Sequence, residues 1–486
     1  MRRRIISKLL MGLVFLAMST SGFAAYHHMG EIDSGIFVET YPDTAGTKLD
    51  SCALCHTGGS YEQNGKVATL GSCQWCHYSY GYDASGNIND TLNSFGLAYS
   101  SKGRSSEALT AIEDQDADGD GYSNRAEIAA LRFPGDPNDD PSKVPAPYKV
   151  FSREQFECLP QHTQFILMNA HKSTDFYAEY AGVSMDVLLK DAGMLPTASN
   201  IKVFAPDGFS QYHPLNPDPN PLFYHVIGGY PSAPYYYSDQ ADIDKNPNGW
   251  CDYSSPVGKG MVNGQAIEND DGLKLMIAVY RDGEYLEPGV LTLQNKLDGE
   301  GPFRVVPPQK TPGPPDQRST AKEQGVIWPF DANADHNAGY STRSATIIKV
   351  EPLPEGTTDI NTLEFGWKYV DEGKIVVYGA IDPLPTILSK MDALLATLKS
   401  SDAGSFKNPI HRKILQLEIG IAKKLACFGR TKAAAKLLEE SVLKHADGCN
   451  TAMGRPDKND WVVDCNLQKK IYWDLHELIV LLGIMV

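Results

Sequence analysis

The sequence has no apolar run of membrane-spanning length, and the apolar segment near its start is too short to span a bilayer. That segment, residues 9–18, follows Arg2, Arg3 and Arg4, and small residues come after it. A basic start, a short apolar core and small residues are typical of a signal peptide. We therefore expect residues 1–25 to be removed and the mature protein to be exported, to the periplasm or the outer surface. A late apolar run at 478–482 is preceded by acidic residues and predicts a buried helix.

Basic residues are scarce. The chain has 44 Lys and Arg against 60 Asp and Glu, a net charge of −16, which becomes −20 once Arg2, Arg3, Arg4 and Lys8 leave with the signal peptide. Such a surface repels nucleic acid and anionic membranes, so we expect neither as a partner. Cationic redox proteins, metal ions and minerals suit it better.

Cysteine is also scarce, yet four of the nine cysteines fall in two short pentapeptides. These are Cys52-Ala53-Leu54-Cys55-His56 and Cys73-Gln74-Trp75-Cys76-His77. In a c-type haem site, two thiols bond the porphyrin and the adjacent histidine ligates iron. A zinc knuckle or a pair of disulfides is the alternative, but a histidine directly after the second cysteine, twice, favours haem. The sequence predicts two covalently bound haem c groups, with His56 and His77 as proximal iron ligands.

The second axial ligands are less determined by the sequence. His27 and His28 are the spare histidines of this region, and we take them as candidate distal ligands. Ligands from further along the chain stay open, namely His162, His171, His213 and His225. Only 21 residues separate His56 from His77, so the two haems should lie close enough for electrons to pass between them.

An acidic loop follows at residues 116–127 with the spacing of a calcium-binding EF-hand loop. Gly121 supplies the sharp turn at position 6. The predicted ligands are Asp116, Asp118, Asp120, the Tyr122 carbonyl, Asn124 and Glu127. Starting at Asp114 instead would put Arg125 at the last ligand position, which fixes the register. Hard carboxylate oxygens select one structural calcium ion over a transition metal.

Composition divides the mature chain into three domains and predicts a multidomain α+β protein. Residues 26–147 hold the haem motifs and the calcium loop with little periodic hydrophobicity, and the turn-rich segment 133–141 predicts a linker at their end. Residues 148–383 carry recurrent short β-like runs around one helical pattern at 185–192. Residues 384–486 predict a helical bundle, in which Ile410, Ile414, Leu417, Ile421 and Leu425 form one apolar face.

The first of these domains resembles the multihaem c-type cytochromes of metal-respiring bacteria. Besides the haem motifs and the calcium loop, the resemblance includes Asn93-Ser94-Phe95-Gly96 and Phe133-Pro134-Gly135-Asp136-Pro137. It covers roughly residues 26–141 and implies electron transfer in the periplasm or at the outer surface.

The middle domain resembles the molybdopterin-binding domain of sulfite oxidases. The resemblance includes Gly182-Val183, Leu188-Leu189 and a Gly-x-Gly-Pro-x-Arg segment at 299–304. That family binds molybdenum through a cysteine before the Gly-Val turn, and residues 165–181 contain none. The sequence therefore argues against bound molybdopterin and favours a degenerate domain used for binding or docking. Cys158 and Cys251 are left as either a disulfide or two separate thiols.

The last hundred residues resemble the FIMAH-type helical domain of bacterial surface proteins, on Ser405-Phe406-Lys407-Asn408 and Asp460-Trp461-Val462. The resemblance implies association with other proteins or with the cell surface. We expect Cys449 and Cys465 to form a disulfide and Cys427 to be a buried free thiol.

The leading hypothesis is an exported dihaem cytochrome that transfers electrons between redox partners or to an extracellular acceptor, with the haems as a relay. The alternative is an oxidoreductase, either molybdenum-dependent in the middle domain or peroxidase-like at a five-coordinate haem. Self-assembly into a surface polymer is a third reading. We therefore expect an electron carrier more than an enzyme.

Overall fold

The computed structural model describes most of the chain from Ile32 to Met485. The described part excludes residues 57–59, 64–65, 70–78, 81–84, 171–173, 218–222, 231–234, 240–250, 293–296, 317–332, 362–365 and 451–453. It is a mixed α and β protein, as the sequence predicts at that level. Its main apolar clusters fall in three parts along the chain.

The first part consists of short helices around a small apolar core. The helices are α1 (Asp33–Thr40), α2 (Ser94–Ser101), α3 (Ser106–Ile112) and α4 (Asn124–Ala129), with 3₁₀ turns at Pro42–Thr44, Cys52–Leu54 and Ile88–Thr91. Strands β1 (Ser60–Gln63) and β2 (Lys66–Thr69) form an antiparallel hairpin. Asn93 and Ser105 cap α2 and α3 by accepting backbone N–H bonds, which fixes where each helix begins. The core consists mainly of Phe37, Leu49, Leu54, Phe95, Tyr99, Leu109, Ile112, Ile128 and Phe133.

The predicted linker at 133–141 is instead a packed joint between the first and middle parts. Asp139 is buried there, and its carboxylate lies 2.6 Å from Nζ of the buried Lys48. The same carboxylate accepts a hydrogen bond from the hydroxyl of Thr358, far along the chain. Strand β3 (Val144–Pro145) then pairs in parallel with β18 (Thr357–Thr358). The linker prediction was wrong because turn residues mark irregular backbone, whether exposed or packed.

Two sheets form the middle part. The five-stranded sheet has the order β4 (Tyr148–Ser152), β19 (Lys374–Gly379), β17 (Ile347–Glu351), β7 (Asn200–Phe204) and β8 (Ser210–Pro214). The second sheet has the path β10 (Cys251–Asp252), β6 (Asp175–Ser184), β12 (Met276–Arg281) and β13 (Glu284–Tyr285), with β5 (His162–Met168) paired to β6 and β16 (Arg304–Val306) to β12. Two short pairs join β9 (Tyr235–Tyr236) to β11 (Ala266–Ile267) and β14 (Val290–Leu291) to β15 (Leu297–Asp298).

The two sheets share one core. Ile166 of β5, Ile201 of β7 and Val377 of β19 lie in the same buried cluster, together with Leu188 and Leu189 of helix α6 (Met185–Asp191). Helices α5 (Arg153–Glu157) and α7 (Gly366–Glu372) complete this part, with a 3₁₀ turn at Asn337–Tyr340. The β-like runs and the helix near 185 that the sequence predicts are present. The sequence does not predict strands β5 and β6. Both strands are buried almost throughout, so apolar and polar residues do not alternate clearly along them.

The C-terminal part is a helical bundle of α8 (Leu384–Ser400), α9 (Pro409–Cys427), α10 (Thr431–Leu437) and α11 (Cys465–Ile484). A π-helical turn at Leu438–Val442 continues α10, and 3₁₀ turns lie at Ala403–Ser405, Leu443–His445 and Gly448–Asn450. Residues 478–482 lie within α11, where Leu478, Leu481 and Leu482 are buried. Gly429, with φ of 69°, follows the end of α9, as its position predicts.

Most of the predicted apolar face of α9 lies on the outer side of that helix: Ile410, Leu417 and Ile421 are exposed, whereas Ile414 and Leu425 are half-buried. Ile410 and Leu417 are 60% and 63% exposed, whereas the buried face consists of Leu415, Ile419, Ala422 and Ala426. Both faces have helical periodicity, and the two alanines let neighbouring helices approach the inner one closely. Helical periodicity predicts that a helix has an apolar face, but it does not tell which face packs into the core.

The cysteines outside the haem motifs take defined positions. Cys449 and Cys465 are joined in a disulfide. Cys158 is exposed and Cys251 is buried, each a free thiol, so they do not pair. Cys427 is exposed at the end of α9, which makes the expectation of a buried thiol wrong. No helix in the described part of the chain is long and apolar enough to cross a membrane.

Candidate functional site

The first Cys-x-x-Cys-His motif lies on one tight turn. The hydroxyl of Ser51 accepts a hydrogen bond from the Ala53 N–H at 3.2 Å and caps the 3₁₀ turn at Cys52–Leu54. The N–H of His56 donates to the Cys52 carbonyl at 2.9 Å, which closes the next turn of chain. Helical winding over these five residues brings both thiols and the imidazole to the same cavity.

That cavity measures about 450 Å³, within the range of cofactor sites. Its wall includes the side chains of Cys52, Cys55 and His56, which the sequence predicts as haem ligands. The rest of the wall is largely apolar, and its apolar and aromatic members are Phe37, Leu54, Tyr80, Ile88, Leu92, Phe95, Tyr99 and Leu109. A flat, mostly apolar cofactor with two thioether links fits this donor set and lining.

Thr91 determines the protonation of the His56 ring. The threonine is buried, and its hydroxyl donates to the Ile88 carbonyl at 2.6 Å. Since that proton is used, the Thr91 oxygen accepts from Nδ1 of His56, 2.8 Å away. The imidazole therefore carries its proton on Nδ1 and its lone pair on Nε2. Metal-ligating histidines are oriented by such a bond from their other nitrogen.

Asn93 holds the haem motif against α2. Its side-chain amide donates to the Leu54 carbonyl at 3.0 Å, and its backbone N–H donates to the Cys55 carbonyl at 2.8 Å. One turn later, Gly96 lies so close that a Cβ atom there would be 2.5 Å from the Cys55 carbonyl oxygen. The Asn-Ser-Phe-Gly sequence thus has a local physical role, which is to fix the backbone of Leu54 and Cys55.

Charged groups lie at one part of the cavity wall. Arg104 forms an ion pair with Asp33, and the Tyr99 hydroxyl donates to the same carboxylate at 3.0 Å. Burial raises the pKa of the Tyr99 phenol, and the Asp33 charge raises it further. The phenol is therefore protonated at neutral pH. Arg104 is the basic side chain of this wall, and it could pair with a haem propionate.

Several predicted ligands lie outside the described residues. These are Cys73, Cys76 and His77 of the second motif and the candidate distal ligands His27 and His28, together with His171. Three of the histidines left open are placed in the middle part. The ring of His225 packs against the ring of Tyr230, with the ring centroids 5.4 Å apart. His213 is buried with Nδ1 2.8 Å from the Tyr224 hydroxyl, and His162 has Nε2 3.1 Å from the Gln164 side-chain oxygen. Among the described residues of the cavity wall, His56 is the single histidine.

The acidic loop between α3 and α4 gathers its carboxylates as the calcium spacing predicts. Oxygens of Asp116, Asp118 and Asp120 lie within 4.8 Å of one another. Asp116 accepts backbone N–H bonds from Gly119 at 2.7 Å and Gly121 at 2.9 Å, and both glycines have positive φ. The loop therefore winds around a common centre, with glycine where the backbone needs it.

Glu127 carries the strongest indication of a cation. It is completely buried, and no hydrogen-bond donor from the described part of the chain reaches either of its carboxylate oxygens. Burial, together with the charges of Asp118, Asp120 and Asp116, raises its pKa to about 9. Burial and the neighbouring aspartates likewise raise the pKa of Asp118 to about 6. Three converging aspartates beside a buried carboxylate without a hydrogen-bond donor among the described residues fit a divalent cation.

Asn124 differs from its predicted role as a ligand. It is buried, its amide donates to the Ile112 carbonyl at 2.8 Å, and its side-chain oxygen accepts from the Ala117 N–H at 3.2 Å. These bonds close the loop onto the end of α3, so Asn124 holds the loop instead of facing its centre. In calcium loops this ninth position often acts through water.

At the end of β5, where the sulfite-oxidase resemblance asks for a thiol, the structure has Asn169. Its N–H donates to the Asn337 side chain at 2.8 Å, and its amide donates to Asp316 at 2.9 Å. A buried amide network is a different donor set from the soft thiolate that family uses. The described residues give this position no molybdenum ligand of that kind.

Sequence reasoning did not identify Thr91, Asp33 or Arg104. Thr91 lies 35 residues from His56, and nothing in the sequence near it marks a contact with the motif. Comparisons with family models, with curated proteins and with solved structures find no match for this chain.

Proposed function

We propose that this protein is a c-type cytochrome that passes electrons between redox partners or to an extracellular acceptor. The proposal is carried by one observation: Cys52, Cys55 and His56 line a single cavity, in which Nδ1 of His56 lies 2.8 Å from the Thr91 hydroxyl oxygen. The two thiols would form the thioether links, and Nε2 of His56 would ligate iron. Bound haem supplies one-electron chemistry, which no side chain in this cavity supplies by itself.

The chain's own residues have three tasks at this site. Thr91 orients the imidazole and sets its tautomer, and Asn93 fixes the backbone carbonyls of Leu54 and Cys55. The apolar part of the wall, which includes Phe37, lowers the polarity around the site. Together they present ligands at fixed positions, which lowers the structural change that accompanies a change of iron charge.

The proposal that electrons pass between two haems is supported by the sequence alone. The second motif follows the first closely, since 21 residues separate His56 from His77. So short a connection keeps the two cofactors near each other and suits a relay better than a shielded substrate pocket. Cys73, Cys76 and His77 would hold the second haem c.

We propose a structural calcium ion in the loop of Asp116, Asp118, Asp120 and Glu127. The buried, unpartnered carboxylate of Glu127 supports it. Ile112 and Ile128, on the two helices beside the loop, belong to the same apolar core as Leu54 and Phe95. Calcium would therefore stabilise the packing behind the haem cavity.

The middle and C-terminal parts are proposed to dock and orient the electron-transfer module. The sulfite-oxidase-like and FIMAH-like identities stay proposals based on the sequence resemblance. The Asn169 network supports a middle domain without molybdenum chemistry of the thiolate type.

The test is expression of the full chain in a host with c-type haem maturation. We expect a mass increase of two haems and a pyridine haemochrome spectrum of the thioether-linked type. Cys52→Ala with Cys55→Ala should remove one haem, whereas Cys158→Ala, at an exposed thiol, should remove none. A protein that matures without covalent haem would contradict the proposal.

Electron paramagnetic resonance separates the carrier from the enzyme. Two low-spin, six-coordinate haems and no molybdenum by elemental analysis are expected of a carrier. A high-spin haem that binds cyanide or peroxide would instead support the peroxidase-like alternative.

A further inference from the structure

The outer face of α9 is an exposed apolar stripe on a domain that has its own core. We define this face as Ile410, Lys413, Leu417, Ile421, Lys424 and Phe428. Spacings of seven, four and seven residues put its four apolar members on one line along the helix. Ile410, Leu417 and Phe428 are 60%, 63% and 82% exposed, and Ile421 is exposed as well. The stripe is roughly 27 Å long at 1.5 Å per residue.

This face does not stabilise the bundle. The opposite side of α9 already packs into the bundle through Leu415, Ile419, Ala422 and Ala426. Large aliphatic and aromatic side chains aligned in water are typical of a surface that binds something apolar.

The charge around the stripe is basic, against the trend of the whole chain. Lys413 and Lys424 are exposed beside it, and Arg430 is exposed two residues after Phe428. Residues 399–444 contain ten Lys and Arg and only four Asp and Glu, in a chain whose net charge is −16. The one acidic residue of α9, Glu418, accepts a hydrogen bond from Ser441 at 2.6 Å, on the side toward the bundle.

We propose that the outer face of α9 binds the surface of an anionic phospholipid bilayer. Isoleucine, leucine and phenylalanine side chains would enter the boundary between head groups and acyl chains, while the flanking lysines contact lipid phosphates. Net charge alone predicts repulsion from such a surface. However, at physiological salt the bilayer interacts mainly with charges within about 8 Å of its surface, and the exposed charges beside this face are those of Lys413, Lys424 and Arg430.

Charge also favours lipid over a second copy of the chain. Pairing two of these faces in parallel brings Lys413 onto Lys413. Pairing them antiparallel about the middle of the stripe brings Lys413 beside Lys424. Both arrangements place like charges together, whereas a phosphate surface pairs with both lysines.

The experiment is sedimentation of the haem-loaded full chain with large vesicles. One set contains equal parts of phosphatidylglycerol and phosphatidylethanolamine, and the other contains phosphatidylcholine alone. We expect binding to the anionic set that weakens as salt is added, and much weaker binding to the neutral set. Leu417→Ser with Ile421→Ser, and separately Lys413→Glu with Lys424→Glu, should each lower the partition coefficient at least about tenfold.

The matched control is Val262→Ser with Lys259→Glu, which changes one apolar and one basic residue, both exposed, on the middle part. It should bind like the parent protein. All substituted side chains are exposed, so circular dichroism should show every variant folded. Absence of parent binding to anionic vesicles, or an equal loss in the control, would overturn the proposal. A dimer on size-exclusion chromatography that Leu417→Ser with Ile421→Ser dissolves, without vesicle binding, would assign the face to self-association instead.

Discussion

Nδ1 of His56 lies 2.8 Å from the hydroxyl oxygen of Thr91, whose own proton is donated to the Ile88 carbonyl. The acceptor is therefore a buried hydroxyl with no alternative proton to offer, and the imidazole has one tautomer. A 3₁₀ turn at Ile88–Thr91 carries this contact, so its geometry depends on a segment remote in sequence from the motif.

Replacing Thr91 by valine removes the acceptor while keeping the side-chain shape. A histidine that loses this partner is a less basic ligand, which favours ferrous over ferric iron. We expect the reduction potential of this haem to rise by on the order of tens of millivolts, given that a tenfold preference equals ~59 mV for one electron. Redox titration followed by absorbance measures it.

Thr44→Val is the control for that substitution. Thr44 is equally buried, and its hydroxyl donates to the Tyr41 carbonyl at 2.7 Å, away from the cavity wall. It should leave the potential unchanged. Equal shifts in the two variants would mean that Thr91 acts only through general packing.

Gly96→Ala tests the close approach of α2 to the haem motif. The added Cβ would lie 2.5 Å from the Cys55 carbonyl oxygen, so the motif or the helix must move. We expect a loss of about 1–3 kcal/mol in unfolding free energy, the range of overpacking, and less complete haem attachment. Gly35→Ala, in α1 with no heavy atom within 4 Å of the new methyl, should be neutral or stabilising. Urea unfolding followed in the Soret band compares them.

Calcium should stabilise the protein through Glu127. With a Kd of ~10⁻⁴ to 10⁻³ M, ~10 mM calcium adds about 1.4–2.7 kcal/mol to the unfolding free energy. Glu127→Gln should abolish most of this gain, because the bidentate ligand is lost. Asp114→Asn changes a neighbouring exposed carboxylate outside the predicted register and should retain it. Thermal unfolding with calcium or with chelator measures both, and a gain that survives in Glu127→Gln would disprove the site.

Acid should weaken the middle part through Asp359. Burial alone would raise the pKa of this carboxyl. However, its Oδ1 atom lies 2.8 Å from Nζ of Lys349 and accepts a hydrogen bond from the Tyr378 hydroxyl at 2.7 Å. These two contacts help to lower the pKa to about 2. Because the folded pKa lies below the unfolded value, the stabilisation is complete above about pH 4 and is lost as the pH falls through 2.

Asp359→Asn should flatten that part of the pH dependence. The parent should lose about 2 kcal/mol more than the variant between pH 4 and pH 2, from a shift of nearly two pKa units. Urea unfolding at both pH values gives the difference. Asp270→Asn, at an exposed position, should keep the parent's slope, and a parental slope in Asp359→Asn would contradict the assignment.

Local sequence patterns predicted what depends on neighbours along the chain. The acidic loop of 116–127 winds around its aspartates as its spacing predicts, because it is closed by hydrogen bonds from its own backbone. The strand near 347 and the end of α9 shortly before Gly429 follow from a β-branched run and from a glycine placed after a helical pattern.

Packing between distant segments was not predictable in this way. Three of the five residues in the predicted apolar face of α9 are exposed despite its helical periodicity, because the choice of inner face depends on which side the other helices can approach most closely. Segment 133–141 has a linker's composition, yet Asp139 is buried against Lys48 in a joint that includes Thr358.

The sequence by itself determined the candidate donor atoms of the proposed sites: two thiols and an imidazole in each Cys-x-x-Cys-His motif, and the carboxylates of the acidic loop at 116–127. Short-range spacing suffices for that, since the first motif lies on one turn and the three aspartates lie on one loop. The tertiary structure alone decided the surroundings of those atoms. Thr91, Asn93 and Gly96 come to the motif, and Glu127 becomes buried, through contacts that form only when separate segments pack together.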